Sequence, residues 1–268
     1  MTATAQSIWN DIDQIRTQSP LVQSITNFVV MNNTANALLA LGASPAMVHA
    51  EDEVDDFVTI ASSLVINIGT LDQNFVAGMK RAMRKAHELG KPIVFDPVGV
   101  GATKYRNEVS RELLALAAPT IIRGNASEIM ALAGLNAQTK GVDSVHGSSA
   151  ALDSARQLNA ELGSIVVVSG VEDYIVGANQ VATVANGHAM MTKVTGMGCT
   201  ATALTAAFAA VNTDYFQAAV HSMAVMGIAG ELAAQHSPGP GSLQLNFLDT
   251  LYQLTQEDVS ANLKLSQQ

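Results

Sequence analysis

The sequence predicts an α/β protein built on a central, mostly parallel sheet. Three observations carry that reading. Short runs rich in β-branched residues are apolar throughout rather than alternating, as strands covered on both faces are. Amphipathic helical patterns separate those runs, which is the order of βαβ units. Turn residues stand at the boundaries between them.

The runs are LVINI at 64–68, PIVF at 92–95, TII at 120–122 and IVVV at 165–168. Residues 73–88 form the clearest helix. Phe75, Val76, Met79, Met83 and Ala86 fall on one side, and Lys80, Arg81, Arg84 and Lys85 on the other. Residues 106–117 and 148–162 read the same way. After IVVV the pattern changes to a hairpin, with 174–176 pairing back against VATVA at 181–185. Beyond Cys199 only helices are expected, at 200–211, 215–235 and 247–262, with HSPGPGS at 236–242 as a rigid loop. No linker, repeat or low-complexity tract divides residues 1–268, so one domain is expected.

Composition narrows the functional classes. Of 268 residues, 48% are hydrophobic, enough for a sizeable core, while only 4% are aromatic, so aliphatic side chains must fill it. The net charge of −9, without a basic run, argues against nucleic acid or an anionic membrane surface as a partner. A single cysteine excludes an intrachain disulfide and fits a reducing compartment. MTATAQSIWNDIDQIRTQSP has no basic stretch followed by an apolar one, so no leader is expected. The apolar stretch at 200–211 is cut by Asn212, Thr213 and Asp214, well short of the roughly 20 residues a membrane span needs. Together these point to a cytoplasmic protein.

Four motifs carry chemistry. DPVGVGA (96–102) puts Asp96 at the end of a buried strand, where open parallel sheets bind ligands. Asp96 there either caps the turn that follows or holds a metal or a substrate hydroxyl. RGNASE (123–128) follows the next strand. Asn125 and Glu128 fit a helix capping box, whereas Arg123 calls for an anion, and phosphate suits its fork. Ser169 ends IVVV, where a small hydroxyl can reach a phosphate. TGMGC (195–199) places two glycines and Cys199 at a helix start, whose unpaired N–H groups and dipole attract an anion. The backbone of Gly198 is thus a candidate phosphate cradle.

A fifth stretch, residues 25–50, sets Asn27, Asn32, Asn33 and Asn36 in an apolar context. These amides either cap helices or line a pocket for a small neutral heterocycle. Gly196, Gly198 and Ala201 also spell G-x-G-x-x-A, but no strand is expected after that helix, which sets a dinucleotide-dependent oxidoreductase aside. The six histidines are scattered without metal-ligand spacing, and His49, His188 and His221 read as ordinary polar or core residues.

These blocks, in order, resemble the hydroxyethylthiazole kinase family of the ribokinase-like superfamily. The resemblance covers ITNFVVMNNTANALLALGASPAM, NIGTL, DPVGVGAT, IIRGNASEI, the 141–144 segment, NGHAMMTKVTGMGC and the late 241–252 segment. It implies a three-layer α/β/α sandwich. It implies transfer of the ATP γ-phosphoryl to the primary alcohol of 4-methyl-5-(2-hydroxyethyl)thiazole in thiamine biosynthesis or salvage, with Mg²⁺. A homotrimer with active sites at subunit interfaces is implied as well. By the resemblance, Met47 and Gly196 take thiazole-contacting positions, and Asn27 lies in the same substrate-side block. Arg123 and Ser169 take ATP-contacting positions, Ser169 where relatives usually carry threonine. Asn125 and Glu128 belong to an N-x-x-E pattern associated with Mg²⁺ and phosphate. Asp96 is the acidic residue near metal and phosphates, and Cys199 stands where many ribokinase-like enzymes have an aspartate base. The sequence departs from the family at Met197, where threonine is usual. The alternatives kept open are a kinase for another hydroxymethyl heterocycle or sugar alcohol, and a non-catalytic nucleotide-binding regulator.

Overall fold

The computed structural model describes residues 3–136 and 147–268; the 141–144 segment of the resemblance lies outside them. In chain order the elements are α1 (Ala5–Gln18), β1 (Leu21–Ile25), α2 (Met31–Leu41), β2 (Ser44–Ala46), α3 (Val54–Ile60), β3 (Ser63–Asn67), α4 (Gln73–Glu88), β4 (Ile93–Asp96), α5 (Lys104–Leu116), β5 (Ile121–Asn125) and α6 (Ala126–Asn136). Then follow α7 (Gly147–Leu162), β6 (Ile165–Ser169), β7 (Asp173–Gly177), β8 (Gln180–Val184), a 3-10 turn (Ala189–Lys193), α8 (Met197–Val211), α9 (Tyr215–Ala234), α10 (Pro240–Gln253), α11 (Gln256–Asn262) and β9 (Leu265–Gln267).

The strands form one sheet in the order β2-β1-β3-β4-β5-β6-β7-β8-β9. β2 through β6 are parallel, and the β7–β8 hairpin joins antiparallel, as the sequence predicts. Each apolar strand feeds two cores by its period of two. Val65, Val94, Ile121 and Val167 pack on the face covered by α1, α2, α8 and α9. Leu64, Ile66, Phe95, Ile122 and Val166 pack on the face covered by α4 to α7. That two-sided burial is why the runs show no polar alternation. The helices start where local chemistry puts them: Asp72 caps α4 through Asn74 and Phe75 N–H, and Thr103 caps α5 through Arg106 N–H. Among the described residues no helix is long and apolar enough to cross a membrane.

Three expectations need correction. A strand does follow Cys199: β9 pairs antiparallel with β8 at the sheet edge. With only three residues, flanked by polar ones, it leaves no apolar run to read. Residues 247–262 are not one helix. The chain breaks after Gln253, and Thr255 caps a separate α11 through Asp258 N–H. The loop at 236–242 is shorter than expected, because Pro240 is already in the first turn of α10. Residues 21–46 also hide two strands. β1 carries Gln23 and Ser24, fully buried, in an otherwise apolar run.

The strand order positions the site. The chain leaves β1 for β2 on one side, then crosses to β3 on the other. Parallel sheets open a crevice outside the carboxyl ends of their strands at such a reversal.

Candidate active site

Both sides of that crevice end in asparagine: Asn27 just past β1, and Asn67 closing β3. Asn27 Nδ2 donates to Asn67 Oδ1 at 2.9 Å and to Cys199 Sγ at 3.3 Å. Asn67 Nδ2 donates to Asp96 Oδ2 at 2.7 Å, and Thr202 Oγ1, one helical turn past Gly198, donates to the same oxygen at 2.8 Å. One polar chain thus runs from Cys199 through Asn27 and Asn67 to Asp96 and back to α8. Asp96 is buried, and its side chain is held by Asn67 and Thr202 rather than capping the turn that follows it.

The electrostatics of this chain are set by burial. Desolvation pushes the Asp96 carboxyl up to about 6, against the pull of Arg123 and its two hydrogen bonds. Burial likewise pushes the Cys199 thiol up to about 11, and the Asp96 charge adds to this; the Asn67 and Asn27 hydrogen bonds and Arg123 oppose it. Any lowering by the start of α8 is outweighed, so thiolate is scarce at neutral pH.

Gly196, with φ of 83°, caps α8, and a Cβ there would lie 2.6 Å from Val30 Cγ1. Backbone geometry leaves the N–H groups of Met197, Gly198 and Cys199 without an acceptor inside the helix. Arg123 reaches this point from β5. Its side chain is buried, its Nε has no hydrogen-bond partner, and its Nη1 would be 3.1 Å from a Cβ at Gly198. A buried guanidinium whose Nε lacks a hydrogen-bond partner, beside three open N–H groups, is a site for an anion. Both line a cleft of about 690 Å³, together with Ser169, Asp173, Asn186 and Met197. Asp173 is buried too, which raises its carboxyl to about 6, opposed by the Gly170 N–H and by Arg123.

Asn125 and Glu128 form the expected reciprocal box. Glu128 Oε2 accepts from Asn125 N–H at 2.9 Å, and Asn125 Oδ1 accepts from Glu128 N–H at 3.0 Å. Glu128 Oε1 also accepts from Gly99 N–H at 2.9 Å, clamping the DPVGVGA turn to β5. Among the described residues, no group of three or more His, Cys, Asp or Glu could enclose a metal ion. Asp96 and Glu128 are close enough for the Glu128 charge to raise the Asp96 carboxyl. That pair of hard oxygen donors fits Mg²⁺, which binds through one or two carboxylates, waters and substrate phosphates.

The remaining expected residues fall as follows. Met47 is half-buried, one residue past β2, at the same sheet edge as Asn27 but one strand outward. Ser169 Oγ donates to Gly124 O at 3.3 Å inside the cleft. Among the described residues no histidine is hydrogen-bonded to Cys199: His221 is hydrogen-bonded to Asp11 at 2.6 Å, and His49 stacks on Phe75. Asn67, Thr202 and Arg106 escaped the sequence reading. Arg106 donates to the carbonyls of Ile68, Val98 and Gly69, tying together the loops after β3 and β4. A signal existed for Asn67: it ends LVIN as Asp96 ends IVFD, a polar residue closing an apolar strand. Thr202 and Arg106 sit in helices with no local mark.

A ribokinase-like superfamily protein from Enterococcus faecalis V583 superposes with a TM-score of 0.62 at 16% identity, covering 88% of this chain and 87% of that one, a likeness of fold alone. Fold and crevice define a protein of the ribokinase-like class. Within it, the chain belongs to the hydroxyethylthiazole kinase family, which matches residues 12–257. The hydroxyethylthiazole kinase of Syntrophus aciditrophicus is 54% identical over 266 residues, covering 99% of this chain and 98% of that relative. The structure of the hydroxyethylthiazole kinase protein from Pyrococcus horikoshii OT3 superposes with a TM-score of 0.91 at 40% identity, covering 98% and 99% of the two chains.

Proposed function

We propose that this protein transfers the γ-phosphoryl group of ATP to the primary hydroxyl of 4-methyl-5-(2-hydroxyethyl)thiazole, in thiamine biosynthesis or salvage. One observation carries the reading. The start of α8 stands between the hydrogen-bonded chain of Cys199, Asn27, Asn67 and Asp96 and a cleft walled by Arg123, whose Nε has no hydrogen-bond partner. A phosphoryl donor in that cleft and an alcohol at that chain would meet beside the open N–H groups of the helix start.

Phosphoryl transfer has a loose transition state, so the protein mainly positions reactants and neutralises charge. Arg123 would bind the triphosphate from the cleft, beside Ser169 and the capping amide of Asn125. The N–H groups of Met197, Gly198 and Cys199 would hold the equatorial oxygens of the moving group. Asp96 and Glu128 would hold Mg²⁺, which supplies charge neutralisation on the phosphates. The thiazole would lie between Met47, Gly196 and the Asn27 side of the crevice. Its hydroxyl would rest against Cys199, a protonated thiol that orients the alcohol more than it deprotonates it.

We further place the enzyme in the cytoplasm as a homotrimer whose neighbouring subunit covers the thiazole. Phe28 and Val29, next to Asn27, are 59% and 62% exposed, and such apolar side chains at a site suit a covering partner. ADP release measured against a panel of small alcohols tests the function. Release with the thiazole alcohol, and little with pyridoxal, hydroxymethylpyrimidine or sugars, is expected. Preference for another alcohol would replace the acceptor. ATP binding without alcohol-dependent release would make the protein a nucleotide-binding regulator instead.

A further inference from the structure

We propose that the donor cleft reads the triphosphate but not the base, so that purine nucleoside triphosphates serve with little preference among them. This rests on the kinase reading above and concerns the same cleft. Away from Arg123 and Ser169 the bulky apolar side chains of the lining are mostly thioethers: Met191, Met197, Met223 and Met226 contribute to it, and Val171, 98% exposed, stands at the lip. Met197, the departure from the family's threonine, belongs to this set. Methionine is flexible and polarisable and packs on flat rings of different outline without a fixed hydrogen-bond demand.

The polar side chains of the cleft do not supply what the thioethers lack. Asn186 donates to Asn262 O at 2.8 Å and to Glu231 Oε2 at 3.3 Å, and its Oδ1 accepts from Lys264 N–H at 2.8 Å. Asp173 Oδ1 accepts from Gly170 N–H at 3.0 Å, and its carboxylate lies within charge range of Arg123, at the phosphate end of the cleft. Two exposed groups keep capacity toward a base. Thr192 donates its hydroxyl to Ala189 O at 2.8 Å and remains an acceptor. His188 Nδ1 accepts from Met190 N–H at 3.2 Å, which leaves Nε2–H as a donor. Both groups are exposed, so a base that mismatches them keeps its hydrogen bonds to water and little discrimination results.

Sites that bury a hydrogen-bonding group against its partner reject the wrong ligand by about 10⁴ or more, whereas apolar pockets discriminate by roughly 10 to 200-fold. The test is kcat/KM for ATP, GTP and ITP with saturating thiazole alcohol, beside calorimetric binding of non-hydrolysable ATP and GTP analogues. Ratios within about a hundredfold in both measurements are expected. A larger preference for ATP in either would overturn the proposal. If no triphosphate supported transfer, the kinase reading would fall, and the binding ratio alone would still decide whether the cleft reads the base.

Discussion

Asn27 holds Cys199 from outside its helix: its amide donates to Sγ at 3.3 Å while its second N–H is fixed on Asn67 at 2.9 Å. The thiol is therefore positioned by β1 and β3, at the reversal of strand order, and it is positioned as a neutral group. Burial and Asp96 raise it to about 11 despite that donor.

A thiol in that state cannot be the main source of rate. Cys199→Ala should keep measurable kinase activity, with kcat lowered by about tenfold, below the 10²–10⁴ typical of a lost general base. Cys199→Asp should keep or improve on wild type. Between pH 6.5 and 9 the wild-type rate should not follow thiol ionisation. Loss of all activity in both variants, with folding and ATP binding intact, would make the thiol essential.

Asp96 should link pH to stability and to activity in opposite directions. Its folded value is about 6 and its ordinary value 3.8, so folding raises it. The stability this brings is complete below about pH 4 and is lost as pH rises through 6. At pH 8 Arg123 and the two hydrogen bonds only partly offset the cost of the buried charge. Asp96→Asn, which keeps an oxygen for Asn67 and Thr202, should then be the more stable protein by about 3 kcal/mol, and the gap should close near pH 4. Urea unfolding at the two pH values measures it. Activity needs the ionised form, so wild-type kcat/KM should fall below about pH 6 and the variant should be nearly inactive. A pH-independent stability gap would show that burial of charge is not its cause.

Gly196 and Gly198 should fail differently. A Cβ at Gly196 would meet Val30 at 2.6 Å on a backbone with φ of 83°, so Gly196→Ala should cost about 1–2 kcal/mol of stability. At Gly198 the obstacle is the far end of a side chain, Arg123 Nη1 at 3.1 Å. Gly198→Ala should leave the melting temperature nearly unchanged and raise KM for ATP by about tenfold, or 1.4 kcal/mol. Equal melting temperatures for the two variants would refute the assignment.

Asn186 should act on nucleotide binding through position alone. It joins the cleft wall to α9 and to the segment leading into β9. Gly187 N–H and Lys264 Nζ meet the same Glu231 carboxylate, each at 2.8 Å. Asn186→Ala leaves buried groups unpartnered, so about 1–3 kcal/mol of stability should be lost. KM for ATP should rise several-fold while kcat at saturation stays within about twofold. A fall in kcat with KM unchanged would place Asn186 in the chemistry instead.

Much of the site was legible because strand ends are legible. Asp96, Arg123 and Ser169 were found by where apolar runs stop, and Gly196 to Cys199 by glycine at a helix start. The capping box of Asn125 and Glu128 was equally open, since its partners are three residues apart. Asn67 was overlooked at a strand end like the others. Thr202, Arg106 and Asn186 were not legible: their partners are Asp96, the carbonyls of Ile68, Val98 and Gly69, and the Asn262–Lys264 segment. Most of those contacts span dozens of residues or more.

By itself the sequence determined the α/β class, the parallel core strands, the hairpin and the helix that begins at the Gly-Met-Gly turn, because these follow from local periodicity and turn chemistry. The tertiary structure alone decided that β1 lies between β2 and β3, which opens the crevice and brings Asn27 to Cys199 across the sheet. It also decided the state of the ionisable groups. How far Asp96 and Cys199 are desolvated depends on what the fold packs over them, and no window of sequence contains that.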